Sequence, residues 1–147
     1  MARQESAAEE RGVRIALAPS SMRRDLMVAR GPASLVLANL LDNAVKFSPP
    51  GGRVTLRLAA EGAEARVSVG DEGPGIQKQD LPYVFERFYR GAAARADAVP
   101  GIGLGLALSH AIVKAHGGRI EASSPAAGGA LFTVSLPFAE AAPTARP

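Results

Sequence analysis

The sequence predicts an α/β (α+β) two-layer sandwich, in which a mixed, mostly antiparallel sheet is covered on one face by helices. Three observations carry this prediction. Short stretches of alternating apolar and polar residues mark strands, and longer stretches with a 3.6-residue period mark helices. Read along the chain they give the order β, α, β, β, α, α, β, β. Strand follows strand directly in two places, which excludes a pure Rossmann alternation and favours helices gathered on one side of a mixed sheet.

The first dozen residues are polar, with Glu5, Glu9 and Glu10, and read as a lead, the end of a preceding linker or helix (residues 1–12). Val13, Ile15 and Leu17 alternate as a first strand. No period is visible from Pro19 to Arg30. Gly31-Pro32 can start a helix, because proline at the first helical position gives up only an N–H that would be unpaired anyway. That helix runs to about Phe47 and stops before Ser48-Pro49-Pro50-Gly51-Gly52. Val54-Leu56-Leu58 and Ala65-Val67-Val69 form a hairpin across Gly62. A glycine loop from Asp71 to Ile76 leads into a short helical region ending at Arg90. Residues Gly91 to Pro100 carry almost no large apolar side chain and are expected to be mobile. A further helix opens at Gly101 to Gly105, with a stripe of Leu104, Leu108, Ala111, Ile112 and Ala115, and ends at Gly117-Gly118. Strands around Arg119–Ser123 and Ala130–Pro137 complete the sheet, giving a domain over 13–138 and an Ala/Pro-rich disordered tail over 139–147.

Composition fits one globular domain. The chain has 147 residues, 47% of them hydrophobic and 21% charged, with Gly 16 and Pro 11. Cys is 0, so cysteine nucleophiles, thiolate zinc sites and iron–sulfur clusters are excluded. The net charge of +3 is spread over single or paired basic residues, which argues against nucleic acid as a partner. The least charged long stretch, Val99 to Val113, is broken by Pro100 and glycines and is shorter than the roughly 20 apolar residues of a membrane helix. The chain reads as soluble.

Four segments can carry chemistry. On a wheel of Leu35 to Phe47, Val36, Leu37, Leu40, Leu41, Ala44 and Val45 share an apolar face, while Asn39, Asn43 and Lys46 fall together on the other at i, i+4 and i+7. Carboxamide oxygens are neutral hard ligands for Mg²⁺ and a lysine can meet phosphate; a solvated polar face is the alternative. Asp71 continues the inward side of Ala65, Val67 and Val69. An inward carboxylate needs donors, such as the amino group of adenine, and Gly73 and Gly75 would allow a close approach; the alternative is an Asp that caps its own turn. Next, Tyr83, Phe85, Phe88 and Tyr89 interleave with Arg87 and Arg90, whose guanidinium forks suit a terminal phosphate. Finally, Gly101-Ile102-Gly103-Leu104-Gly105-Leu106 opens a helix, as a phosphate-covering lid or a hinge. It is neither G-x-G-x-x-G nor a P-loop. His110 and His116 lie on different helix faces and cannot share a metal.

Taken in order, Asn39-Leu40-Leu41-Asp42-Asn43-Ala44-Val45-Lys46-Phe47-Ser48, Asp71-x-Gly73-x-Gly75, Phe85-Glu86-Arg87-Phe88-Tyr89-Arg90 and Gly101-x-Gly103-Leu104-Gly105-Leu106 resemble the N, first glycine, F and second glycine boxes of the catalytic ATP-binding domain of bacterial sensor histidine kinases. The resemblance runs from about Val13 to Phe138 and implies a Bergerat-type ATP-binding fold, with ATP and Mg²⁺ as cofactors. It implies Asn43 as metal ligand, Asn39 and Lys46 at the phosphates, Asp71 at the adenine amino group and Arg90 or Arg87 at the γ-phosphate. Residues from about Arg90 to Gly103 would form the ATP lid. Gly73, Gly75, Ile76, Phe88, Gly101, Ile102, Gly103, Leu104, Gly105 and Thr133 complete the implied nucleotide-contacting set, with Asn39, Lys46, Arg87 and Arg90 as the catalytic group.

The chain departs from the family at Ile102, where many relatives carry Thr, at Ala130, where Ser or Thr is frequent, and at Gly31, where Asp is frequent. The implied activity is protein-histidine kinase: transfer of the γ-phosphate of Mg-ATP to a histidine on a dimerisation domain that this chain lacks, with a response regulator further along the relay. Asn39 supports transfer over hydrolysis, because an amide cannot act as the base that activates water. Two other readings are a stand-alone regulatory module of the anti-sigma, serine-kinase type and an ATP-driven clamp of the gyrase type. The expected setting is the cytoplasm, with a full-length protein that can be anchored in the inner membrane, and the domain alone is expected to be monomeric.

Overall fold

The computed structural model describes residues 2–17, 31–87, 105–126 and 128–137. Helix α1 (Ala2–Arg11) is followed by β1 (Arg14–Leu17), α2 (Gly31–Phe47), β2 (Arg53–Glu61), β3 (Glu64–Gly70), a 3-10 turn (Leu81–Tyr83), α3 (Gly105–Ala115), β4 (Arg119–Ser123) and β5 (Leu131–Pro137). The five strands form one sheet in the order β1-β2-β3-β5-β4. Among the described residues only the β1–β2 pairing is parallel. The sheet is therefore mixed and mostly antiparallel, as the strand pairs in the sequence require.

Register explains why one face of the sheet is apolar and the other polar. Leu58, Val67, Val134 and Ile120 line up across the strands, as do Leu56, Val69, Phe132 and Ala122. These rows join Val36, Leu40, Leu41, Ala44 and Val45 of α2 and Val113 of α3 in one core. The opposite rows, Arg57–Ser68–Thr133–Glu121 and Arg66–Ser135–Arg119, belong to the other face. Because the side-chain period of a strand is 2, each polar residue between these apolar ones is turned away from the helices.

The polar N-terminal segment is a packed helix. Ala8 is buried, and Arg11 reaches across to α2, donating from Nε to the Val45 carbonyl and from an η nitrogen to the Ser48 carbonyl, both at 3.0 Å. Val45 lies in the last turn of α2, where its carbonyl also accepts from Ser48 N–H at 3.3 Å, and Ser48 follows the helix directly, so a guanidinium there closes the helix end and complements its dipole.

Two elements differ from the sequence reading. The helical region expected to end at Arg90 is, in its described part, only the 3-10 turn Leu81–Tyr83 followed by turns; Pro82 and the short apolar spacing support no longer helix. In α3 the stripe Leu108, Ala111, Ala115 does not face the core. Leu108 is 46% exposed, whereas Ser109 and Val113 are fully buried and Leu106 and Ile112 pack against the core. Apolar residues lie nearly all round this helix, so periodicity could not choose the buried face; in the fold it is the side of Leu106, Ile112 and Val113, where Ser109 meets Asn39 of α2. The helix ends as expected, with Gly117 at φ 78° and Gly118 N–H donating to the Val113 carbonyl at 2.9 Å.

Candidate nucleotide site

On α2, Asn39 and Asn43 are half-buried and Lys46 is exposed, beside the buried apolar stripe. Asn39 Nδ2 lies 3.4 Å from the Gly105 carbonyl oxygen and 3.3 Å from Ser109 Oγ. The polar stripe of α2 therefore meets the first turn of α3, and two of the sequence motifs are brought together. The side chains of Asn43 and Lys46 make no hydrogen bond to another described residue.

Asp71 follows β3 directly and points inward, 9% exposed. Its Oδ1 accepts from Gly73 N–H at 2.8 Å and from Ala130 N–H at 3.2 Å, while its own N–H donates to the Ala130 carbonyl at 3.0 Å. The contact to Gly73 is an Asx turn, so the self-capping alternative is realised, but by one oxygen alone. Oδ2 has no hydrogen-bond partner among the described residues. Burial raises the carboxyl pKa above its ordinary value, and the two backbone donors pull it back in part.

The glycines around Asp71 serve the backbone. A Cβ on Gly73 would strike the Phe47 carbonyl at the end of α2. One on Gly75, where φ is 82°, would lie 2.6 Å from Ser124 Oγ and 2.9 Å from the Gly129 carbonyl. Gly129 in turn leaves no room for a Cβ beside the Asp71 carbonyl. The loop is thus clamped between α2 and the β4–β5 turn, and the close approach that requires glycine is made by the chain itself. Ser124 holds the clamp, accepting from Ile76 N–H and donating to the Gly129 carbonyl, each at 3.1 Å. Sequence reasoning missed Ser124 and Gly129; the Gly128-Gly129 pair was the available signal.

Phe85 anchors the aromatic segment. It stacks on His110 of α3 with centroids 5.3 Å apart and meets Phe132 of β5 edge-on at 6.2 Å. Arg87 follows two residues later and is exposed. Phe88, Arg90, Gly101, Ile102, Gly103 and Leu104 lie outside the described residues, as do the expected lid and C-terminal tail. Gly105 opens α3 beside Asn39. Thr133 is not brought to this group. It lies on the polar face of the sheet, with its hydroxyl 3.4 Å from that of Ser68, because it alternates with the inward Phe132 and Val134. The β5 neighbourhood of Asp71 is supplied by the backbone of Ala130 instead.

Among the described residues no group of three His, Cys, Asp or Glu could hold a metal, and no helix is long and apolar enough to cross a membrane. A cation here would meet carboxamide and ligand oxygens, a donor set that suits Mg²⁺.

Residues 30–140 match the family described as histidine kinase-, DNA gyrase B- and HSP90-like ATPases. The histidine-protein kinase/phosphatase MprB of Mycobacterium sp. (strain KMS) is 51% identical over 114 residues, covering 74% of this chain and 22% of that protein. The sensor histidine kinase WalK of Bacillus subtilis is 44% identical over 121 residues, 80% of this chain and 20% of the relative. Sensor protein KdpD of Clostridium acetobutylicum is 39% identical over 120 residues, 80% of this chain and 13% of the relative. The chain thus spans about a fifth or less of the length of these proteins. A solved structure of mycobacterial sensor histidine kinase MprB superposes with a TM-score of 0.75 at 35% identity, covering 93% of this chain and 90% of that one. With the Asp71 loop, the asparagine stripe of α2 and the helix-covered sheet in place, the chain belongs to the histidine kinase-, gyrase B- and HSP90-like ATPase family, as an ATP-binding catalytic domain of the sensor histidine kinase type.

Proposed function

We propose that this domain binds Mg²⁺-ATP between α2, the Asp71 loop and the start of α3 and transfers the γ-phosphate to a histidine on a dimerisation domain of its full-length protein. A response regulator then takes the phosphoryl group. Asp71 Oδ2 accepts from the adenine 6-amino group while Oδ1 stays tied to Gly73 and Ala130. Asn43 offers its carboxamide to the metal, Lys46 meets phosphate oxygens, and Arg87 or Arg90 compensates γ-phosphate charge. When bound, Mg²⁺ neutralises the phosphate oxygens and orients them for in-line displacement. In that displacement a neutral imidazole nitrogen forms the N–P bond, the bond from phosphorus to the bridging oxygen breaks, ADP leaves, and the imidazole proton passes to solvent. ATP supply places this work in the cytoplasm.

The observation that carries transfer over hydrolysis is Asn39. Its amide is held by α3 and cannot remove a proton from water. The test is to incubate the chain with γ-labelled ATP, Mg²⁺ and the dimerisation domain of its full-length protein. Acid-labile, alkali-stable label on that domain, lost in Asn43→Ala, is the expected result. Acid-stable label would indicate the serine-kinase type, and brisk ATP hydrolysis without a partner the clamp.

A further inference from the structure

Ser109 has no role in the reading of the sequence, yet it is fully buried in α3, next to the face that carries Val113. A hydroxyl in such a place needs a partner, and its partner is Asn39 Nδ2 at 3.3 Å. The same nitrogen faces the Gly105 carbonyl oxygen at 3.4 Å. A backbone carbonyl can only accept, so it is the NH₂ end of the carboxamide that must face α3. Asn39 Cγ lies 4.0 Å from where a Cβ on residue 105 would stand, in ordinary contact with the first turn of α3 and within reach of both acceptors.

We propose that Ser109 is a positioning residue for the nucleotide site: together with the Gly105 carbonyl it locks the Asn39 carboxamide so that Oδ1 is the atom Asn39 offers to the ligand. An acceptor oxygen attracts a divalent cation or the water bound to it and repels phosphate oxygens. Asn39 then acts on the cation side with Asn43, one helical turn away, and Lys46 is left for the phosphates. This amends the sequence expectation that Asn39 itself sits at the phosphates. Without the Ser109 hydroxyl the amide can turn over and present N–H groups instead. The proposal rests on the nucleotide-binding reading given above.

The test uses calorimetry on the wild-type chain and Ser109→Ala, at a temperature where circular dichroism shows both folded. Adenosine is titrated without metal, and a non-hydrolysable ATP analogue with and without Mg²⁺. Ser109→Ala should keep the adenosine affinity within about twofold and lose about fivefold of the Mg²⁺-dependent gain, the scale of one neutral hydrogen bond. In parallel, the Asn39 side-chain amide protons should exchange slowly in the wild-type chain and faster in the variant. An unchanged Mg²⁺ gain, or an equal loss for adenosine and analogue, overturns the proposal while leaving nucleotide binding standing. Fast exchange in the wild-type chain overturns it even if the variant does not fold. A wild-type chain that binds neither ligand overturns the nucleotide reading and this proposal together.

Discussion

The carbonyl oxygen of Phe47 fills the space that a side chain on residue 73 would need. The end of α2 and the loop after β3 are thereby fitted to each other, and Gly73 N–H is left free to donate to Asp71 Oδ1 at 2.8 Å. Gly73→Ala must push the loop off the helix and pull that donor away. The expected cost is about 1–3 kcal/mol of stability, typical of overpacking, together with weaker ATP binding. A denaturant titration and a calorimetric titration of the variant check both; unchanged values would show that the loop yields without consequence.

Arg11 offers a separate test at the other side of α2. Its two 3.0 Å hydrogen bonds reach carbonyls 34 and 37 residues away and join α1 to the end of the asparagine-bearing helix. Arg11→Ala should lower stability by about 1–2 kcal/mol, on the scale of charge-assisted bonds at a helix C-terminus. Urea unfolding measures it. No loss at all would mean that the Arg11 side chain contributes nothing to holding α2.

Asp71 makes a pH-dependent prediction. Burial raises its pKa in the folded chain, so the folded state binds this proton more tightly than the unfolded state does. The stability it contributes is present below the unfolded value and is lost as the pH rises through the folded value. Ionised Asp71 therefore costs the nucleotide-free chain stability at neutral pH. Asp71→Asn keeps an acceptor for Gly73 and Ala130, and should be at least as stable as the wild type near neutrality, with the difference closing as the pH falls through the raised value to below the ordinary one. Urea unfolding across that range measures it, and a variant that is markedly less stable at neutral pH would contradict it.

Thr133 gives a negative control. It bonds to Ser68 on the polar face of the sheet, so Thr133→Ala should leave nucleotide affinity unchanged within about twofold and cost at most the roughly 1 kcal/mol of a neutral hydrogen bond. A large loss of affinity would place the ligand on the wrong side of the sheet.

The sequence carried the architecture because its signals were local and repeated. The period-2 runs at Val54–Leu58 and Ala65–Val69, and the two-sided wheel of α2, each left one register compatible with a buried face. Counting by twos likewise turned Asp71 inward, which the structure reproduces at 9% exposure. What could not be read locally was long-range. The buried face of α3 is set by Leu106, Ile112 and Val113 packing against the core, with Ser109 on that side meeting Asn39, 70 residues away. Gly73 and Gly75 announce a close approach, but their neighbours, Phe47 and Ser124, are named only by the tertiary fold. Thr133 shows the same limit from the other direction: a hydroxyl near the last strand resembled a ligand contact, and one step of strand alternation sends it to the opposite face.

Recognition of adenine by the open oxygen of Asp71 is the claim on which the rest depends, and calorimetry with ATP and GTP on wild-type and Asp71→Asn chains in Mg²⁺ tests it most directly. Guanine presents a carbonyl where adenine presents the amino group, so the wild-type chain should bind ATP and discriminate strongly against GTP. Asp71→Asn should lose about 1–3 kcal/mol of ATP affinity, the scale for spoiling a buried charged hydrogen bond. Equal affinities for ATP and GTP, or an Asp71→Asn variant that binds ATP as the wild type does, would contradict it.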